Sequence, residues 1–331
     1  MERKMITAPA LSTLVTKLNS AGYRVFAPAI SEGLTTFTQL VTGDKAVFSN
    51  LNTRLSLKGI FFPATEPLLR YKLGKSSVEV EDIANFAPKT VVIGARPCDA
   101  SALPALDALF SWDYNDKFYL ERRKNTTVVT MACSAFDDAC FCTSVGGAPD
   151  NKAGSDVLLI KSGASFIAEP LTEKGKAVID AAPDLFAPAG DQKGEVAGPR
   201  VYFDRSKIKP WLESNFDSPL WAEFAAKCLS CGCCTFVCPN CHCFDIVDEG
   251  GLKGGKRVKN WDGCQFPLFT LHTSGHNPRP TKAARWRQRV AHKFSYYVDK
   301  FNCLSCVGCG RCIRHCPVNM DIRNQLAKIT G

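Results

Sequence analysis

Two short stretches constrain this chain more than anything else in it. Cys228, Cys231, Cys234 and Cys238 follow the spacing C-x2-C-x2-C-x3-C with Pro239 next, and Cys306, Cys309, Cys312 and Cys316 repeat it with Pro317 next. This is the bacterial ferredoxin run for [4Fe-4S] clusters. Three thiolates two residues apart let one tight loop wrap three iron corners of a cubane, and Gly232, Gly308 and Gly310 allow that loop to bend closely. The fourth cysteine lies beyond the loop and, in two-cluster ferredoxins, ligates the neighbouring cluster. Cys228, Cys231 and Cys234 are therefore grouped with Cys316, and Cys306, Cys309 and Cys312 with Cys238. Zinc also binds C-x2-C pairs, but as two separated pairs rather than three evenly spaced cysteines followed by Cys-Pro.

The rest of the composition agrees with metal ligation. There are 17 cysteines in 331 residues, an odd number that suits no closed disulfide framework. The first residues lack the apolar run and cleavage site of a secretory signal, and no stretch approaches the roughly 18–20 apolar residues of a membrane span. A cytoplasmic protein with reduced thiols is expected. A hydrophobic fraction of 45% excludes a disordered chain.

Residues 1–198 read as an α/β (α+β) domain with a partly parallel sheet. Ala10–Ser20 has helical periodicity, and Tyr23–Ala27 reads as a strand. Thr90–Ile93 and Thr126–Thr130 are short buried strands, with Ala100–Phe110 between them as a helix and Asp99 near its N-cap. Strand, helix, strand implies a right-handed crossover and parallel strands. Cys98 and Cys133 then sit just past the carboxyl ends of adjacent strands, where such sheets place their ligands. Cys140 and Cys142 follow in the same loop, so topology predicts a third [4Fe-4S] cluster on Cys98, Cys133, Cys140 and Cys142. Asp156–Ile160 and Ser165–Ala168 read as a hairpin, and Thr172–Ala181 as a helix.

The Pro- and Gly-rich stretch Ala182–Arg200 marks the boundary. Residues 199–331 read as a ferredoxin-like 2[4Fe-4S] dicluster domain with a long insertion, since 67 residues separate Cys238 from Cys306. Cys241, Cys243, Cys264 and Cys303 could make another cluster. Nothing in their spacing brings them together, so with Cys233 they are read as lining the clusters already assigned.

Arg279, Lys282, Arg285, Arg287, Arg289 and Lys293 interleave with Trp286, Phe294, Tyr296 and Tyr297. Such a mixture can bind nucleic acid. The spacing of Ala283, Ala284, Trp286, Val290 and Phe294 instead suggests an amphipathic helix with one charged face. Three clusters of charge about −2 each would reduce the formal +9 to about +3, so the helix is read as charge compensation and a docking face, without nucleic acid. No phosphate-binding or dinucleotide loop is present. The run Gly250–Gly255 reads as a turn, and the five histidines show no nucleophile–base pattern. No catalytic residue is assigned.

The motifs Gly94-Ala-Arg-Pro-Cys-Asp99, Ala139-Cys-Phe-Cys-Thr-Ser144, Cys228-Leu-Ser-Cys-Gly-Cys-Cys-Thr-Phe-Val-Cys-Pro239, Cys241-His-Cys-Phe-Asp245, Trp261-Asp-Gly-Cys264, Gly275-His-Asn-Pro-Arg279 and Cys306-Val-Gly-Cys-Gly-Arg-Cys312 together resemble one family. It comprises the iron–sulfur subunit of anaerobic sulfite reductase and the β subunit of cytosolic sulfhydrogenases, and the likeness runs from about residue 20 to 325. Cys233 and Cys303 fall outside its pattern. The resemblance implies an iron–sulfur electron-transfer subunit of a soluble anaerobic oxidoreductase complex. Its implied partners are a terminal catalytic subunit, either a nickel–iron (NiFe) hydrogenase or a sirohaem sulfite reductase, and a flavin NAD(P)-binding reductase subunit. The other reading is a self-sufficient iron–sulfur redox enzyme with a substrate site at the N-terminal cysteines.

Overall fold

The computed structural model of the protein describes residues 2–48, 52–83 and 87–331. Its strands, in chain order, are β1 (Lys4–Thr7), β2 (Arg24–Ser31), β3 (Leu34–Leu40), β4 (Thr65–Leu73), β5 (Val78–Asp82), β6 (Thr90–Ala95), β7 (Thr126–Met131), β8 (Val157–Ser162), β9 (Ser165–Pro170), β10 (Ala187–Pro188), β11 (Phe244–Gly251) and β12 (Gly254–Trp261). Eight of them form one mixed sheet in the order β10-β1-β9-β8-β7-β6-β2-β3. The inner strands β2, β6, β7 and β8 run parallel, and the remaining pairings are antiparallel.

β6 and β7 are buried at every residue, as strands covered on both faces must be. On one face, the helix Ala8–Ser20 lays down Leu11, Leu14, Val15 and Leu18, a repeat of i, i+3, i+4, i+7. They pack with Val91, Ile93 and Val129. The Thr7 hydroxyl accepts the Ala10 N–H at 3.3 Å and starts that helix, a cap worth about 1 kcal/mol. On the other face, Phe61, Phe62, Leu103, Leu106 and Phe110 cover Val92 and Val128.

The crossover from β6 to β7 is not one helix from Ala100 to Phe110. It breaks into Pro97–Ala100, Leu103–Phe110 and Lys117–Asn125. Pro104 suits only a first helical turn, because it lacks the N–H that an interior position would donate. Arg96 is the N-cap residue of the first piece, and Asp99 lies inside it. The Asp99 carboxylate accepts the Arg96 backbone N–H at 3.3 Å.

A second sheet, β11-β12-β4-β5, is antiparallel throughout. It joins the ribbon β11–β12, which comes from the long insertion, to the hairpin β4–β5 from the first hundred residues. Lys259 of β12 lies opposite Glu66 of β4. The two form a buried ion pair at 2.9 Å, extended by Asp116 at 2.8 Å from Lys259 and by Arg122 on Glu66. Two cations meet two carboxylates there, so no buried charge is left over. The glycine run is the turn of the ribbon, with Gly250 opposite Gly255 and Gly251 opposite Gly254.

A third core gathers Phe203, Trp221, Phe224, Trp286, Val290, Phe294 and Leu326, and takes in Phe141 from the N-terminal cysteine loop. The basic segment forms the helix Lys282–Ala291, a π-turn over His292–Tyr296, and the helix Tyr297–Phe301. Its charges do not share one outward face. Arg285, Arg289 and Lys293, four residues apart, are 4%, 2% and 3% exposed, whereas Arg287 pairs with Asp217 at the surface. The inward stripe runs toward the cysteines of the insertion and of the first ferredoxin-type motif. No helix among the described residues is long and apolar enough to cross a membrane.

Candidate metal centres

The main sheet delivers the first group of cysteines. β6 ends in an irregularity between Ile93 and Ala95, after which the chain turns into Cys98. β7 ends at Met131, two residues before Cys133, and the following loop returns Cys140 and Cys142. All four line one cavity of about 70 Å³, together with Asn52, Phe136, Asp137 and Gly308. Burial is the main reason that the thiols of Cys133, Cys140 and Cys142 are pushed up to about 11, and it also raises Cys98. Such thiols ionise readily only against a nearby cation, which a bound metal supplies. Arg96 is 4% exposed and its Nη1 has no hydrogen-bond partner. Its field acts on Cys133 and Cys98, so an anionic group at the quartet would satisfy it.

The second group lines a separate cavity. Cys228, Cys231, Cys234 and Cys316 surround it with Gln265, Trp286 and Met320. Backbone N–H groups donate to two of these sulfurs, Ser230 to Cys228 at 3.4 Å and Met320 to Cys316 at 3.3 Å. Cys306, Cys309 and Cys312 are all raised, first by burial and further by the charge of Cys238. The first and second groups thus each line one cavity, the second shared with Cys233 and Cys312, and Cys306, Cys309 and Cys312 lie within the field of Cys238.

The quartets adjoin one another. Gly308 and Gly310 have φ of 63° and 72°, and a Cβ would stand 2.6 Å from the Cys142 nitrogen at the first and 2.3 Å from the Ala139 oxygen at the second. Only glycine allows this approach. The Phe141 N–H donates to the Gly308 oxygen at 2.9 Å. Arg311 and Asp99, 0% and 1% exposed, pair at 2.7 Å and tie the Cys309–Cys312 loop to the turn that carries Cys98. Asn52 bridges the same place, accepting from the Cys98 thiol at 3.7 Å and donating to the Cys309 oxygen at 3.5 Å.

Charge explains the inward stripe. Lys293 Nζ donates to Cys238 Sγ at 3.3 Å, and Arg289 Nη1 donates to Cys241 Sγ at 3.4 Å. Lys58, 2% exposed, donates to the Cys241 oxygen at 2.9 Å. Burial opposes the charge on Lys293 and Arg289, but the thiolates outweigh it and raise both above their ordinary values. For Lys58 burial prevails and lowers it to about 8. Among the described residues, no carboxylate lies within 4.0 Å of any of the three cations. Lys293 and Arg289 face sulfur, and Lys58 lies on the Trp261 ring at 3.8 Å beside the same cysteines.

Arg96 and Arg311 stand within motifs legible in the sequence, but nothing there marks them as partners of the cysteines. Lys58 and Asn52 carry no sequence signal. Of the unassigned cysteines, Cys233 donates to the His315 oxygen at 3.2 Å, and Cys303 is shifted by burial alone. Cys241 is hydrogen-bonded to Cys238, and Cys243 to Cys264. Burial lowers His242 to about 4 and His292 to about 3, so both are neutral packing groups, ring against ring at 5.5 Å. Among the described residues, no three Cys, His, Asp or Glu side chains converge as a single bound ion requires. A cubane is different, since each thiolate meets a separate iron.

Residues 227–320 match the 4Fe-4S dicluster domain family, which defines the C-terminal part of the chain as iron–sulfur in class. Over nearly its whole length the chain is similar to the sulfhydrogenase 2 subunit beta of Pyrococcus furiosus. The two are 28% identical over 311 residues, covering 90% of each chain. No solved structure matches the chain. The sulfhydrogenase side of the resemblance is matched by this relative, which together with the dicluster domain supports iron–sulfur electron transfer.

Proposed function

We propose that the protein is the electron-transfer subunit of a multi-subunit oxidoreductase and carries a relay of three [4Fe-4S] clusters. Cys98, Cys133, Cys140 and Cys142 hold the first. Cys306, Cys309, Cys312 and Cys238 hold the second, and Cys228, Cys231, Cys234 and Cys316 the third. When bound, the clusters supply one-electron redox chemistry. The chain's own residues hold them close, donate hydrogen bonds to the thiolates and balance their charge with buried Arg and Lys. The observation that supports this reading is the close approach of two cysteine loops, with Gly308 and Gly310 pressed against Ala139, Phe141 and Cys142.

The two outer quartets lie near the surface, beside Phe136 (49% exposed) and Leu229 (62% exposed). One such end suits docking of a flavin NAD(P)-binding subunit, the other that of a terminal catalytic subunit. The likeness to a sulfhydrogenase subunit favours a nickel–iron hydrogenase over a sirohaem sulfite reductase as the terminal partner. The chain's place is the cytoplasm.

The test uses the assembled complex. Cys142→Ser is expected to stop electrons passing between flavin and terminal subunits, lowering coupled turnover at least about tenfold, a barrier change of about 1.4 kcal/mol. Reduction of the flavin by NAD(P)H should continue unchanged. Undiminished coupled turnover in this variant would refute a relay through the N-terminal cluster, and turnover by the isolated chain would favour a substrate site there instead.

A further inference from the structure

Cys241, Cys243 and Cys264 have no part in the relay, yet the fold collects them. Phe244 lies opposite Trp261 at the open end of the β11–β12 ribbon, so the residues just before β11 lie beside those just after β12. The Asp262 N–H donates to the Cys243 oxygen at 2.9 Å, and the Cys243 thiol is hydrogen-bonded to Cys264. Cys241 lies between this pair and the relay: its charge acts on Cys243, its thiol meets Cys238, and Arg289 Nη1 reaches its sulfur at 3.4 Å. Arg289 is 2% exposed, and its Nε has no hydrogen-bond partner. Cys303 stands outside the group.

Buried cations converge on this place. Arg289 and Lys293 are 2% and 3% exposed, and neither pairs with a carboxylate among the described residues. Lys293 reaches Cys238 Sγ and Arg289 the Cys234 oxygen, both in the relay, while Arg289 Nη1 turns to Cys241 Sγ. A cation buried against sulfur is costly unless that sulfur is anionic, as a metal-held thiolate is.

We propose that Cys241, Cys243 and Cys264 bind a further iron–sulfur cluster at the base of the ribbon, beside the cluster that Cys238 serves. The inference rests on the relay reading and adds a branch to it. Zinc is the competing occupant for a group of thiolates.

The experiment is iron, sulfide and zinc content of the full chain after anaerobic purification. Cys264→Ser is expected to lose about three or four irons, with as many sulfides, and to keep the remainder. Cys243→Ser should show the same loss, which guards against a folding defect peculiar to one position, and Cys303→Ser should lose nothing. Unchanged iron in both Cys264→Ser and Cys243→Ser would overturn the proposal. So would about one zinc per wild-type chain that disappears with them. A wild-type chain with fewer than about twelve irons would fail the relay itself, whereas a full relay complement unaffected by Cys264→Ser fails only this inference.

Discussion

Arg311→Met is expected to cost about 3–5 kcal/mol of stability, the loss typical of breaking a buried ion pair by removing one partner. Arg311 and Asp99 are 0% and 1% exposed and stand 2.7 Å apart. Arg311 also donates to the Thr53 oxygen at 2.8 Å and to the Thr53 hydroxyl at 3.1 Å. Its loss leaves a buried carboxylate without its counter-ion, beside the turn that carries Cys98. Methionine fills much of the same volume, so the effect is one of charge rather than of a cavity. Asp99→Asn should be nearly as damaging, because it leaves the guanidinium unpaired. The double variant Asp99→Asn/Arg311→Met should cost less than the sum of the two single changes, since neither charge then remains. Denaturant unfolding under anaerobic conditions measures all three. Single variants within about 1 kcal/mol of wild type would show that the pair does not tie the two cysteine loops together.

The second large effect is on redox potential. Lys293→Gln removes one positive charge 3.3 Å from Cys238 Sγ while leaving a hydrogen-bond donor in place. Reduction adds negative charge to a cluster, so a nearby cation favours the reduced state and its removal must lower the potential. A unit charge a few ångströms away, at an effective dielectric constant of about 20, contributes on the order of 2–4 kcal/mol. For one electron this is on the order of 100 mV. A potentiometric titration followed by electron paramagnetic resonance would detect it. One signal should fall by that amount, with a smaller shift in the others, which lie further from Lys293. No movement of any signal would mean that Cys238 serves no cluster.

Much of this was legible in the sequence, and particular residues show why. Spacing alone grouped the eight ferredoxin-type cysteines, because a short loop around a cubane permits few other spacings. The parallel pair β6 and β7 was legible because strands buried on both faces read as unbroken apolar runs, Val91–Ile93 and Val128–Val129. That pairing in turn brought Cys98 toward Cys133 without any spacing rule. The break between Ala100 and Leu103 was not legible, because the apolar pattern runs straight through it and only Pro104 interrupts the hydrogen bonding. Nor was the inward turn of Arg285, Arg289 and Lys293. A stripe of charge at helical spacing ordinarily faces water, and what reverses it here is buried sulfur supplied by residues some fifty positions away. Lys58 comes from further still, 183 residues from the Cys241 oxygen it meets. Cys241, Cys243 and Cys264 converge through the strand register of β11 and β12, which an exposed ribbon does not announce in its side chains.

The central claim is that the relay extends from the dicluster domain into the α/β half of the chain. Iron and acid-labile sulfide per chain, measured after strictly anaerobic purification, test it most directly. Three relay clusters require about twelve of each at the least, and the site at the base of the ribbon would raise the count to about fifteen or sixteen. About eight of each would leave only the two ferredoxin-type clusters and contradict the account.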